Sequence, residues 1–221
     1  MQSTASPLAT LFRVASASSQ FVAFYMLHLG GLLTFDFVSK MFTLWTGVML
    51  TLYLLMALLN DWIKSPSSKQ FFDRAVSLAF HLSLVMSIAT VSMFWSIYAL
   101  DSENFIPKGF YFPPLLNHLQ HTAPGVIVLA ELFLIRTPDD ILDSYWGSKL
   151  AAVCLTPVAY LSFTALNFYV KGSWPYPFMS SWTVVEFGVF FVVGMVLAVL
   201  FHWCVYWLVK KFGSKRTEKL E

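Results

Sequence analysis

The run PLLNHLQHTAPG places Asn117, His118 and His121 within one helical turn and a half, and Pro124 just beyond them. On a helix, residues i and i+4 share a face, so Asn117 and His121 project together while His118 is rotated about 60° from His121. Pro124 has no N–H to give the carbonyl of Gln120, which weakens the helix just past His121 and leaves a polar carbonyl beside it. An imidazole held this way can act as a general base if a nucleophile lies at the same depth. SKMFTLWTGVML offers two hydroxyls, Thr43 and Thr46, and a hydroxyl beside an imidazole is the basic pairing of covalent ester hydrolysis. Threonines in membrane helices more often bond back to their own carbonyls, so neither stands out unaided. No G-x-S-x-G, H-E-x-x-H or Walker sequence proposes another chemistry.

The elements that must position these residues follow from composition. The 221 residues are 57% hydrophobic, 18% aromatic and 12% charged, with a mean hydropathy of +0.67. A soluble domain carries about 25% charge, so this is a membrane protein. Stretches long enough to span, about 20 residues each, lie near 8–29, 41–63, 75–99, 115–135, 149–170 and 182–209. They predict an all-α integral membrane bundle of six transmembrane helices in a single polytopic domain, 1–221. The first span is diluted by Arg13 and SASASSQ, and ASASS resembles a signal-peptidase site, but the apolar stretch after it argues for retention.

Eleven lysines and arginines fall on the side shared by the two termini, from Arg13 to the basic tail 210–221, and only Lys40, Lys108 and Lys171 fall opposite. The positive-inside rule therefore places both termini in the cytoplasm. The net charge of +2 resides mostly in that tail, where anionic lipid headgroups suffice as partners and no nucleic acid is needed. Cys154 and Cys204 lie inside spans and imply neither a disulfide framework nor a zinc site. The exoplasmic segments 102–114 and 171–182 mix aromatics with prolines, which suits an aromatic belt or a cap over a cavity.

All five histidines, with Glu131 and Glu186, fall inside spans, where ionisable groups usually face an interior or a cavity. Helix four starts at the exoplasmic surface, so His121 lies roughly 9 Å below it. Thr43 and Thr46 occupy the same shallow layer, and Glu186, about six residues into the last helix, matches that depth.

The runs FWSIYALD (94–101), LLNHLQHT (115–122) and WPYPF (174–178), in this order, resemble the family of the androgen-induced protein and the androgen-dependent TFPI-regulating protein. The resemblance covers most of the chain. It implies a multi-span membrane hydrolase cleaving fatty acid esters of hydroxy fatty acids, with a threonine and the second histidine of N-H-x-x-H as essential residues. Those map to Thr43, which follows Lys40 by three positions, and His121. Depth and resemblance thus converge on Thr43 and His121. Asn117 and the amides opening the fourth helix are candidate oxyanion donors, Glu186 a candidate third group orienting His121, and His118 a supporting residue. The substrate would be a lipid ester entering from the bilayer, with no cofactor and no metal, in the endoplasmic reticulum or plasma membrane; the sequence leaves the oligomeric state open.

Two further classes remain open. His28 with His121, and His81 with His202, form two layers that a transmembrane bis-histidine haem electron carrier would need. A non-catalytic lipid-binding or regulatory membrane protein would need neither Thr43 nor a haem.

Overall fold

A backbone N–H or C=O in hydrocarbon finds no water and must be bonded within its own segment, so the apolar runs become helices. The structure, a computed structural model, describes residues 6–34, 41–63, 65–100, 112–137, 141, 146–172 and 174–217. Most of segment 102–114, together with Lys40, Lys64, Lys108 and Lys219 of the charge count, lies outside the described residues. The helices are α1 (Pro7–Leu29), α2 (Phe42–Asn60), α3 (Pro66–Leu100), α4 (Pro114–Ile135), α5 (Trp146–Lys171) and α6 (Val184–Thr217). No strand occurs among the described residues.

Of the six expected spans, five (α2 to α6) are long and apolar enough to cross a membrane. Helix α1 has 23 residues, about 35 Å at 1.5 Å per residue, but Arg13 and the serine-rich run lower its apolarity. It packs into the bundle all the same. At one end, Ala23 and Leu27 of α1, Leu44 of α2 and Leu116 of α4 form a cluster. At the other end, Arg13 of α1 meets Glu131 of α4 at 2.8 Å and Asp61, just past α2, at 3.4 Å. The helices thus run up and down between an aromatic end and a basic end. Leu50, Tyr53, Phe80, Leu84 and Val128 fill the core between them.

Helix α3 is central, with 61% of its apolar window buried, whereas none of the window of α6 is buried. Val189, Val192, Val196, Leu200, Trp203 and Trp207 make α6 a lipid-facing surface. Helices α3 and α4 approach closely at Gly125, where a Cβ would stand 2.8 Å from Val91 Cγ2.

Helix α4 is interrupted where the proline requires it. Its α-helical segments are Pro114–His121 and Ala123–Ala130, and Thr122 between them has φ −120° and ψ −50°. A π-turn, Glu131–Ile135, ends it. Helix α5 ends at Gly172, whose φ of +67° is the left-handed conformation that glycine adopts without a Cβ penalty. The following segment is fixed by its rings: Trp174 stacks between Phe168 (4.1 Å) and Phe187 (4.8 Å).

Candidate active site

Thr43 is the second residue of α2, and no side chain of the preceding residue caps that helix. The capping partner comes instead from the segment after α5. The Phe42 N–H donates to Tyr176 Oη at 3.0 Å, and the Thr43 hydroxyl and Tyr160 also hydrogen-bond Tyr176. Burial pushes the Tyr176 phenol above its ordinary value of 10.0, so it stays protonated. Tyr160, from α5, is seated by edge contacts with Phe42 (5.0 Å) and Trp45 (5.5 Å). Three hydroxyls, Thr43, Tyr160 and Tyr176, therefore meet at the positive end of the α2 dipole.

They line one end of a cavity of about 440 Å³ bounded mainly by α3, α5 and α6. Away from the hydroxyls its walls are almost wholly apolar, among them Val85, Met86, Leu161, Phe190 and Leu197. Tyr176, Phe178 and Met179 close the aromatic end, so segment 171–182 does cap a cavity.

His121 is the last residue before the α4 interruption. Its Nδ1 lies 2.8 Å from Asn117 Oδ1 and 3.1 Å from the Asn117 carbonyl oxygen. A carbonyl only accepts, so Nδ1 must carry the hydrogen, and the lone pair resides on Nε2. That is the tautomer a base requires. The face of the ring lies against Phe94, with centroids 3.5 Å apart and planes 10° from parallel. Phe94 is itself a wall of the cavity, which puts the imidazole one ring's thickness behind that wall. No hydrogen bond joins His121 to Thr43.

The FAR-17a/AIG1-like protein family profile matches residues 8–210, nearly the whole chain. The chain belongs to that family. It is similar to the androgen-dependent TFPI-regulating protein of Mesocricetus auratus, at 29% identity over 166 residues covering 72% of this chain and 70% of the relative. It is also similar to the androgen-induced gene 1 protein of Homo sapiens, at 34% identity over 100 residues covering 44% of this chain and 40% of the relative. No solved structure matches the chain.

Other candidate residues of this FAR-17a/AIG1-like chain fall elsewhere. Glu186 is exposed and accepts from the Thr183 N–H at 2.6 Å and the Thr183 hydroxyl at 2.8 Å. The Glu186 N–H donates back to the Thr183 hydroxyl at 3.3 Å. This reciprocal pair is a capping box opening α6, and it does not reach His121. His118 is exposed and meets the Thr122 hydroxyl at 3.1 Å and the Trp95 ring at 5.5 Å, away from His121's partners. Thr46 bonds back to the Phe42 carbonyl at 3.1 Å and to Thr90 at 2.8 Å.

The two histidine layers do not pair as a haem would need. His28 is exposed on α1 while His121 is buried. His81 Nε2 and His202 Nδ1 hydrogen-bond directly at 2.7 Å, closer than the roughly 4 Å that two ~2.0 Å metal–nitrogen bonds on opposite sides of an ion require. Beside them lie Trp146, 4.0 Å from the His202 ring, and the electrostatic influence of Lys149. Glu131, whose role the sequence leaves open, binds Arg13 and accepts from the Tyr53 hydroxyl at 2.7 Å. The residues around Thr43 and His121 that sequence alone does not single out are Tyr160, Tyr176 and Phe94. Tyr160 carries no signal beyond a polar atom in a span, Phe94 lies in a run that points only to the resemblance, and Tyr176 lies in a segment that suits an aromatic belt as well as a cap.

Proposed function

We propose that this chain is a membrane-embedded hydrolase that cleaves fatty acid esters of hydroxy fatty acids, with Thr43 as nucleophile and His121 as base. The observation that carries the reading is the cavity: an apolar bore whose polar end holds the Thr43 hydroxyl among phenols. Such a bore fits an acyl chain, with the ester carbonyl at Thr43. His121 Nε2 takes the proton as Thr43 Oγ attacks that carbonyl. The ester C–O bond then breaks, and the same proton passes to the departing hydroxy fatty acid. Water, deprotonated by His121, attacks the acyl-threonine to release the fatty acid, and the proton returns to Thr43.

The oxyanion would be met by the Tyr176 and Tyr160 hydroxyls and the start of α2. Asn117 is better placed to hold His121 than to serve the oxyanion. Catalytic hydrogen bonds are often long in unliganded enzymes and tighten in the complex. A substrate that displaces the Phe94 ring would open the path between His121 and Thr43. On the positive-inside reading the site lies at the exoplasmic headgroup level, in the endoplasmic reticulum or plasma membrane.

The test is to incubate membranes carrying wild-type or Thr43→Ala protein with a panel of lipid esters that includes branched fatty acyl esters. Cleavage by wild type alone is expected. A second reading, lipid binding without chemistry, is favoured by the missing Thr43–His121 hydrogen bond, and cleavage by neither protein would put it ahead.

A further inference from the structure

The cavity has a definite depth, and one helix wall has a gap in it. On α3 its lining runs from Ile97 to Leu82, fifteen residues or about 22 Å. An extended chain advances roughly 1.2 Å per bond, taking the 3.3–3.6 Å of a three-bond peptide residue, so this length fits about eighteen carbons. That depth matches one long acyl chain laid along the bore.

The gap is on α6. Gly194 and Ala198 both line the cavity, one turn apart on the same face. A Cβ added at Gly194 would meet nothing within 4 Å, so a larger side chain at this cavity-lining position can be placed without striking protein. Gly188 is equally open but is exposed and lies off the cavity wall. The segment after α5 ties the start of α6 to the level of Thr43 through Tyr176, Phe178 and Trp182. Measured from Val184, Gly194 is ten residues down, about 15 Å or roughly twelve carbons. Ala198 is fourteen residues down, about 21 Å or roughly seventeen carbons.

We propose that this cavity is a single-chain acyl tunnel that measures the chain carrying the ester carbonyl, with Gly194 and Ala198 as its length-determining residues. The proposal rests on the hydrolase reading for the placement of the carbonyl at Thr43. The second chain of a branched ester stays outside the tunnel, so the tunnel does not measure it.

The experiment has a binding arm and a turnover arm. In the first, purified Thr43→Ala protein binds a fluorescent fatty acid, displaced by straight-chain acids from about eight to about twenty-two carbons. Binding is expected to fall off beyond about eighteen carbons. Gly194→Leu should move that limit down by about six carbons, Ala198→Leu by only one or two, and Gly188→Leu not at all. In the second arm the same substitutions, in the protein that retains Thr43, should shorten the acyl chains cleaved while leaving tolerance for the alcohol chain unchanged. Retained affinity for the shortest acids shows that a variant is folded; if Gly194→Leu binds none of them, the ordering of Ala198→Leu against Gly188→Leu decides. A limit that ignores Gly194 and Ala198, or shifts equally with Gly188, overturns the tunnel. A binding limit that moves as expected while wild type cleaves no ester overturns the hydrolase and leaves the tunnel standing.

Discussion

The Nδ1–H of His121 points at the amide oxygen of Asn117 one turn earlier, at 2.8 Å, and at the carbonyl of the same residue at 3.1 Å. One residue thus fixes both the tautomer and the rotation of the imidazole. Asn117→Ala removes the side-chain acceptor and leaves the carbonyl. A fall in kcat of about tenfold, below the 10²–10⁴ typical of losing a whole general base, is expected, with KM little changed. His121→Ala should abolish turnover and phosphonate labelling of Thr43. His118→Ala should retain most activity, because its partners are Thr122 and Trp95. Glu186→Gln should retain activity as well, since among the described residues Glu186 hydrogen-bonds Thr183 in the capping box and not His121. Steady-state kinetics on this set decides which side chain holds the base.

At the proposed nucleophile, Thr43→Ser keeps a hydroxyl and should keep measurable activity, while Thr43→Ala should be inactive. Tyr176→Phe removes a phenol at the α2 start and should lower kcat by about a hundredfold, as loss of an oxyanion donor does. Thr46→Ala should leave turnover per folded molecule intact and cost about 1–2 kcal/mol in stability, because Thr90 then loses a buried partner. Inactivity of Thr46→Ala at matched folded concentration would move the nucleophile from Thr43 to Thr46.

Orientation is checked with an impermeant thiol reagent. Ser180→Cys, in the exposed segment before α6, should react from the exoplasmic side. Ser67→Cys, exposed at the start of α3, should react only after permeabilisation. The reverse pattern would move the site to the cytoplasmic leaflet.

Sequence exposed the helices, the α4 interruption and the faces of His118 and His121, because these depend on residues within one turn of each other. It flagged Glu131, His81 and His202 because an ionisable group inside a span needs a partner, whereas Arg13 showed only as a dilution of the first span. It could not name the partners, since Arg13 and Glu131 are 118 positions apart and only packing brings them together. Glu186 was readable locally: Thr183-x-x-Glu186 is a capping-box pattern, and that local partner outcompetes a distant histidine. Tyr176 was hidden for the opposite reason. An aromatic in a proline-rich loop reads the same whether it anchors at the headgroups or turns inward over a cavity.

The approach of α3 to α4 makes a steric prediction. Val91 Cγ2 would lie 2.8 Å from a Cβ at position 125, and a β-branched side chain has little rotamer freedom in a helix to withdraw. Gly125→Ala should therefore destabilise the protein by about 1–3 kcal/mol. Adding Val91→Ala should recover much of that loss in a thermal melt in detergent, whereas additive destabilisation would show that the contact is not the cause.

The last prediction concerns the buried charges at the basic end. Glu131 is fully buried, and its carboxylate is shared by Arg13 at 2.8 Å, the Tyr53 hydroxyl at 2.7 Å and Arg136 at 3.9 Å. Arg136 also lies over the Tyr53 and Phe80 rings, 5.4 and 5.0 Å from their centroids. In Glu131→Gln the volume stays but the negative charge goes, and two guanidiniums remain in a low-dielectric layer. Breaking a buried pair from one side costs about 3–5 kcal/mol, chiefly through the charge left behind, while replacing both partners by apolar residues is far milder. Glu131→Gln should thus sharply lower the melting temperature, and Arg13→Met combined with Glu131→Leu should lower it less. Because the cluster lies at the opposite end of the bundle from Thr43, turnover per folded molecule should hold in both variants. A Glu131→Gln protein that melts normally but has lost turnover would instead make Glu131 part of the chemistry.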